Sequence, residues 1–296
     1  MVNYHLKKTP KTRFLNLFRR LFTIPFFENI LVSKVLNSKS VFFQKLVPPD
    51  YLYKKNSLRS VTREGIKYKL DISNVVDHYV YYGFKDANYD SILPDLKNAQ
   101  VILDIGANVG VTSMFFASIN SKARIISFEP HPDTFKKAIE NLKLNTFRNI
   151  EIINTGLGEK RDNLKLYEVN EHNPGMNRLL AIEKDLPFKI VEINTLDDIL
   201  MARNISKVDV IKLDVEGFEY AVLKGAKEII NSKPVLFIEL DDDNLKENNK
   251  SAKELIELLV LFGYKEFYRA DDLSPITVQS NFDHCHFDIV AKSEKK

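Results

Sequence analysis

Ten residues, Val101-Ile-Leu-Asp104-Ile-Gly106-Ala-Asn108-Val-Gly110, constrain the fold of this 296-residue chain more than any other stretch. A short apolar run ends on an acid and opens into a loop with small residues at alternate positions. That is the pattern of a buried strand handing the chain to a tight turn whose backbone N–H groups face a ligand. Gly106 and Gly110 permit close approach and a left-handed backbone. Asp104 supplies a fixed negative charge, which suits a cationic ligand group better than a phosphate. The dinucleotide fingerprint G-x-G-x-x-G is absent, because Asn108 takes the middle position and Val111-Thr112-Ser113 offers no third glycine. A plain strand-to-helix turn accounts for the glycines but not for Asp104 and Asn108 together.

A second acid, Glu129, closes the run Arg124-Ile-Ile-Ser-Phe128 and lies 25 residues after Asp104. In nucleotide-binding α/β sheets an acid at the second strand's tip accepts hydrogen bonds from ribose hydroxyls, a task for a group that only accepts. Pro130 and Pro132 then start a helix. Farther on, Asp209-Val-Ile-Lys-Leu-Asp214 ends on an acid and runs into Val-Glu216-Gly217-Phe-Glu219. Pro234-Val-Leu-Phe-Ile-Glu239 ends the same way, followed by Asp241-Asp242-Asp243-Asn244. Acids are favourable at helix N-termini, but four strand tips carrying carboxylates exceed what helix ends or solubility require.

From residue 100 on, strand-like and helix-like patterns alternate, the sign of a mostly parallel sheet covered on both faces. Strands are expected near 100–105, 123–129, 150–155, 208–214 and 234–240, helices over 109–120, 132–145, 217–230 and 251–262, and late strands near 264–269 and 285–292. Ahead of them, 61–72 reads as a hairpin turning at Glu64-Gly65, and Tyr79 to Leu96 reads as helical. The stretch 156–203 breaks the alternation. Leu164–Tyr167 and Phe188–Ile193 read there as extra strands around Asn173-Pro-Gly-Met-Asn177, the kind of insertion that shapes a substrate site.

The charge is uneven. Residues 1–60 hold twelve Lys and Arg against Glu28 and Asp50, a local excess of +10, and the remainder sums to −7. Within this arm Phe14, Leu15, Leu17, Phe18, Leu21 and Phe22 recur at helical spacing between Arg13, Asn16, Arg19 and Arg20. Such a helix could lie on an anionic membrane surface or pack on the body of the protein. Both readings stay open. Arg19 and Arg20 interrupt any secretory apolar core, and Pro48-Pro49 makes a joint between the arm and the rest of the chain. A basic, partly amphipathic extension over 1–60 and a catalytic domain over 61–296 are expected. Cys285 is the single cysteine, which excludes an intrachain disulfide and favours a reducing, cytoplasmic setting. No uninterrupted apolar run reaches the roughly 18 residues of a spanning helix.

The ordered set Val101–Gly110, Phe128-Glu129-Pro130, Thr195-Leu-Asp197-Asp198 and Ile211-Lys-Leu-Asp214-Val-Glu-Gly217-Phe-Glu219 resembles the FkbM family of methyltransferases over about residues 75–270. Asp-Val-Glu-Gly-x-Glu is the narrower signal. The resemblance implies a class I methyltransferase fold, α/β and Rossmann-like, with a seven-stranded sheet whose last strand is antiparallel. It implies S-adenosylmethionine as donor and O-methylation of a sugar, glycan or other small hydroxyl compound. On that likeness Asp104, Gly106, Asn108 and Gly110 hold the methionine part and Glu129 the ribose. The basic arm lies outside the family region and adds a lipid-linked acceptor as a hypothesis.

A sugar hydroxyl is a poor nucleophile, so a base or a metal ion must help remove its proton. Asp214 is the first candidate, with Glu216, Glu239, Glu219, His131, His284 and His286 behind it. Mg²⁺ on Asp214 and Glu239 is a weaker alternative, since acid clusters are commoner than metal sites, and no metal is assigned. His284 and His286 are expected on one face of the last strand as ordinary sheet residues. Three rivals remain: an NAD-dependent oxidoreductase, weakened by Asp104 and the missing third glycine; an RNA 2′-O-methyltransferase recruited by the arm; and a scaffold without a donor. Asp214-Val-Glu-Gly217 does not match the Asn/Asp-Pro-Pro-aromatic motif of base-amino methylation, and nucleic acid is disfavoured as a partner. Acceptor, methylated position and oligomeric state are left open.

Overall fold

A computed structural model describes residues 9–38, 40–84, 86–169, 177–179 and 186–293. They fall into two compact units, one before residue 86 and one from Asp86 on.

In the first unit, α1 (Pro10–Arg19), α2 (Pro25–Asn37) and α3 (Val41–Leu46) precede a hairpin of β1 (Leu58–Arg63) and β2 (Ile66–Asp71) and the helix α4 (Val75–Tyr82). Proline opens both α1 and α2, where its missing N–H would be unpaired anyway. The hairpin turns at Glu64 and Gly65 as expected, both left-handed at φ 51° and 82°, the pair of angles a two-residue type I′ turn needs. Ile66, Tyr68 and Leu70 alternate inward along β2. Beneath them Glu28 is buried and receives two bonds from the Arg59 guanidinium, at 2.7 and 2.9 Å, and one from the Tyr81 hydroxyl at 2.6 Å. The hairpin and α4 therefore group with the N-terminal helices rather than with the sheet.

The continuous helix expected over Tyr79–Leu96 does not form. Gly83 takes a left-handed φ of 71° and ends α4, and the helical path resumes only as a short 3₁₀ turn and α5 (Leu93–Asn98). A glycine in that conformation is a helix stop.

The second unit continues with β3 (Val101–Ile105), α6 (Val111–Ile119), β4 (Arg124–Phe128), α7 (Pro132–Lys143), β5 (Ile150–Ile153), β6 (Gly156–Leu157), β7 (Asp162–Tyr167), β8 (Phe188–Asn194) and α8 (Leu196–Met201). Then come β9 (Val210–Leu213), α9 (Glu219–Lys224), α10 (Lys227–Ile230), β10 (Val235–Asp241), α11 (Asp242–Glu247), α12 (Ala252–Leu261), β11 (Glu266–Arg269) and β12 (His286–Lys292). Among the described residues, seven strands form one sheet in the order β11-β12-β10-β9-β3-β4-β5, and β12 runs antiparallel to both of its neighbours. Seven strands with the last one antiparallel are what the sequence resemblance to a class I methyltransferase implies. The strands are apolar runs because both faces are covered; Ile102, Leu103, Ile125, Ile126, Val210 and Leu236 have no exposed surface.

The expected extra strands are β7 and β8, which pair with β6 in a separate three-stranded sheet. Residues 173–176 of the loop between them lie outside the described residues. The helix expected over 217–230 breaks into α9 and α10 at Gly225, where a Cβ would collide with the Gly158 carbonyl. The acid run after β10 is the start of α11, with the Asp241 carboxylate accepting from the Asn244 N–H at 2.9 Å.

Candidate active site

The strand order sets β10, β9, β3 and β4 side by side and parallel, so their carboxyl ends share one edge of the sheet. Asp104, Glu129, Asp214 and Glu239 all sit at that edge. In open α/β sheets ligands bind outside this edge, where the strand order reverses, here between β3 and β9.

After β3 the N–H groups of Gly106 and Ala107 both donate to the Phe128 carbonyl, at 3.1 and 2.9 Å. Gly106 adopts φ 84°, and a Cβ there would collide with the Asp214 carbonyl oxygen. Both facts demand glycine. Asn108 and Gly110 are also left-handed, at φ 50° and 83°, and α6 starts directly after them. Glu129 clamps this loop from the β4 side. One carboxylate oxygen accepts from the Asn108 N–H and the other from the His131 N–H, each at 2.9 Å. Burial pushes Glu129 up to about 7 despite those two donors.

Asp104 has no exposed surface. Its Oδ2 accepts from the Ser113 hydroxyl at 2.5 Å, and that hydroxyl lies 2.8 Å from the Ser127 Oγ. Its Oδ1 lies 3.7 Å from the ammonium of Lys212, which the parallel register of β9 sets directly beside it. Lys212 is 3 % exposed, donates to the Gly106 carbonyl at 2.9 Å, and reaches Asp214 at 3.2 Å. Burial opposes the lysine's charge, but Asp214 and Asp104 together outweigh it and hold the ammonium above its usual range. The loop thus rests on a buried acid–ammonium pair. The sequence expectation sets Asp104 directly against a ligand; in this structure its contacts lie beneath the loop.

On the β9 side, Asp214, Glu216 and Glu239 each present an oxygen, the three within 4.8 Å of one another. Burial first, and then the neighbouring Asp214, push Glu216 up to about 8. Glu239 rises well above the carboxylate range for the same two reasons, with Glu216 adding to them. Its Oε2 is buried without a hydrogen-bond donor among the described residues. Glu216 is left-handed at φ 53°, an uncommon state for a glutamate, and Gly217 follows at 95° with no room for a Cβ beside the Asn244 carbonyl. Asn244 donates to Glu216 Oε2 at 2.8 Å. Glu219 folds back on its own turn, accepting from the Val215 and Gly217 N–H groups at 3.1 Å each. It shapes the loop that carries Glu216.

The histidines divide. His286 lies 2.8 Å from Asp241 and 3.9 Å from Glu239. His131 caps α7 and meets Glu168 at 3.1 Å, and exposed His284 pairs with Asp243 at 2.7 Å. His284 does not share a strand face with His286, because it is left-handed at φ 53° and β12 begins only at His286. Sequence reasoning missed Lys212, whose signal was a lone cation inside an apolar strand. It also missed Asp288, which pairs in register with Glu239, accepts from Asn88 at 2.6 Å and is pushed by burial up to about 6.

The methyltransferase FkbM domain matches residues 104–266, more than half of the chain. The chain belongs to the FkbM methyltransferase family. As an FkbM methyltransferase it is an S-adenosylmethionine-dependent enzyme, and hydride transfer from a nicotinamide is set aside. The 2-O-methyltransferase NoeI of Sinorhizobium fredii is 26% identical over 179 residues, which span 56% of this FkbM methyltransferase and 73% of that protein. The hexuronic acid methyltransferase AglP of Haloferax volcanii is 26% identical over 149 residues, spanning 50% of this chain and 59% of AglP. Among solved structures, the O-methyltransferase from Bacillus cereus in complex with SAH has a TM-score of 0.42 at 14% identity, covering 70% of this chain and 80% of that one.

Proposed function

We propose that this FkbM methyltransferase methylates a hydroxyl of a sugar or glycan, with Glu216 as the proton acceptor. The observation that carries the reading is the acid edge, where raised carboxylates stand beside the loop of Gly106, Asn108 and Gly110. A base is most useful when its pKa lies near the working pH, and Glu216 at about 8 meets that condition. Asp214, the first candidate by sequence, already has an oxygen on Lys212. NoeI, whose name specifies a 2-O-methylation, supports a hydroxyl acceptor, and AglP, whose name specifies a hexuronic acid, supports a sugar acceptor.

S-adenosylmethionine supplies an electrophilic methyl group, whose bond to sulfur breaks as the acceptor oxygen attacks and sulfur keeps the electron pair. The protein's residues do the rest. Glu129 retains a lone pair on each oxygen beyond those used by Asn108 and His131, which fits it to accept from vicinal ribose hydroxyls. Gly106, Asn108 and Gly110 bring backbone rather than side chain toward the methionine part. Asp104 and Lys212 act through the loop they hold. Glu216 takes the acceptor's proton, its pKa kept high by burial and then by Asp214.

The test is transfer of a labelled methyl group to a panel of hexuronic acids, hexoses and short glycans. The reading expects a base-stable methyl ether on one hydroxyl. A base-labile methyl ester, an N-methyl product, or no product from an enzyme that binds S-adenosylhomocysteine discards the hydroxyl acceptor.

A further inference from the structure

Helix α1 is inside out. Its buried residues are Asn16 and Arg19, whereas Phe14 and Leu17 are each 64% exposed and Phe18 is 56% exposed. The polar side is anchored. The Arg19 guanidinium donates to the Lys45 carbonyl at 2.9 and 2.6 Å and to Asn16 at 3.3 Å, and Asn16 donates to the Tyr51 hydroxyl at 3.0 Å. The rotation of the helix is therefore set by specific polar contacts, and those contacts turn Phe14, Leu17, Phe18 and Leu21 outward at i, i+3, i+4 and i+7. Exposed Ile24, Phe26 and Ile30 continue the apolar surface onto α2, and Val41 and Phe42 onto α3. A soluble surface rarely carries so many large apolar side chains without a partner.

The charges around this surface have one sign. Between residues 9 and 60 the acids are Glu28 and Asp50, and both are buried. Lys11, Arg13, Arg20, Lys34 and Lys45 are exposed. A second copy would bring two cationic faces together, which disfavours self-association. A nucleic acid would satisfy the cations but has no use for Leu17, Leu21, Ile24, Ile30 and Val41. An anionic bilayer takes both parts, apolar side chains at the acyl boundary and Lys and Arg among the phosphates. Among the described residues no helix is long and apolar enough to cross a membrane, so the contact is one that lies flat.

We propose that the N-terminal unit docks on an anionic phospholipid surface through the outward faces of α1, α2 and α3. The docking is independent of the methyl-transfer chemistry, and either reading can fail alone.

Flotation of the full-length chain tests it, on vesicles of phosphatidylcholine mixed with phosphatidylglycerol and on phosphatidylcholine alone. The intact chain is expected to float with the mixed vesicles and to lose about tenfold in partitioning on the neutral ones. Phe14→Ser/Leu17→Ser/Phe18→Ser is expected to lose about tenfold on the mixed vesicles while S-adenosylhomocysteine affinity and far-ultraviolet dichroism stay unchanged. Arg13→Glu/Arg20→Glu should weaken binding and flatten its salt dependence. The proposal is overturned if the intact chain does not float, or if the triple-serine variant floats equally well. It is also overturned if that variant converts a dimer into a monomer, or if the intact chain prefers a single-stranded RNA homopolymer to the vesicles.

Discussion

Replacing Lys212 with methionine tests whether a buried ammonium organises the donor loop. The change keeps most of the length of the side chain and removes one charge from a site where Asp104 has no exposed surface and Lys212 is 3 % exposed. Breaking a buried pair by deleting one partner costs about 3–5 kcal/mol, because the remaining charge is left uncompensated. Most of that falls on Asp104. Asp214 is 40% exposed on its side chain, so solvent screens it and its share is under about 1 kcal/mol. Burial already raises Asp104, with Lys212 as the strongest opposing influence; without the lysine it rises further. A carboxyl raised in the folded state contributes stability at low pH that is lost as pH rises through its folded value. Lys212→Met should therefore be penalised most above the raised folded value of Asp104, and the penalty should shrink toward pH values near the unfolded carboxylate range. Urea unfolding followed by circular dichroism measures this. Asp104→Asn in the same chain removes the stranded acid, so the double variant should recover about 1–3 kcal/mol relative to the sum of the singles. Additive singles, or a penalty that does not change with pH, would refute the idea that the two groups form one unit.

The acids at the sheet edge carry two more predictions. Because Glu129 is raised to about 7 and accepts hydrogen bonds best when ionised, S-adenosylhomocysteine affinity should strengthen as pH rises through that value. It should change about tenfold between one unit below and one unit above, as read by calorimetry, and Glu129→Gln should abolish the dependence; a flat profile in the unaltered protein removes Glu129 from the ribose role. For Glu216, raised to about 8 in the ligand-free protein, kcat/KM for the donor should climb with pH up to that region, and Glu216→Gln should lower kcat by about 100-fold or more while leaving S-adenosylhomocysteine affinity intact. A loss under about threefold, with the ascending limb unmoved, would pass the base role to Glu239 or Asp214.

Legibility from the sequence depended on range. The strands at 101–105, 124–128, 210–213 and 235–241 were legible because a doubly covered parallel strand is an apolar run, and each carries an acid at or next to its carboxyl end that marked the site edge. The left-handed loop was legible from its glycines. Lys212 was not, because its meaning lies in a register with Asp104 more than 100 residues away. Asp288 gains its meaning the same way, from its antiparallel pairing with Glu239. Gly83 and Gly225 broke helices that periodicity ran through, since apolar spacing continues across a residue whose backbone leaves the helix. In α1 the stripe itself was visible, but not which side faced the protein. The burial of Asn16 and Arg19 decides that.

Asp104 with Glu129, and Glu216 with Glu239, form two electrically different pairs of acids, and on the proposed reading the difference separates donor holding from proton removal. Asp104 and Glu129 are raised by burial but partly compensated, one by Lys212 and Ser113 and the other by two backbone N–H groups. They hold a loop. Glu216 and Glu239 are under-compensated, each raised by burial and then by Asp214. Such a pair gains from any positive charge brought near it, because an opposite charge within about 4–6 Å favours the ionised form. A sulfonium is a permanent cation, and its demethylated product is neutral. A donor bound beside this pair would lower the pKa of Glu216 and leave it ready to accept a proton. After transfer the sulfur would be neutral, and a proton taken by Glu216 would be retained as that residue's pKa returned upward. The same repulsion that makes these carboxylates costly to bury therefore ties proton uptake to the charged donor, and S-adenosylmethionine binding should release more protons than S-adenosylhomocysteine binding in buffers of different ionisation enthalpy. Equal release for the two ligands would show that the acid pair does not sense the sulfur's charge.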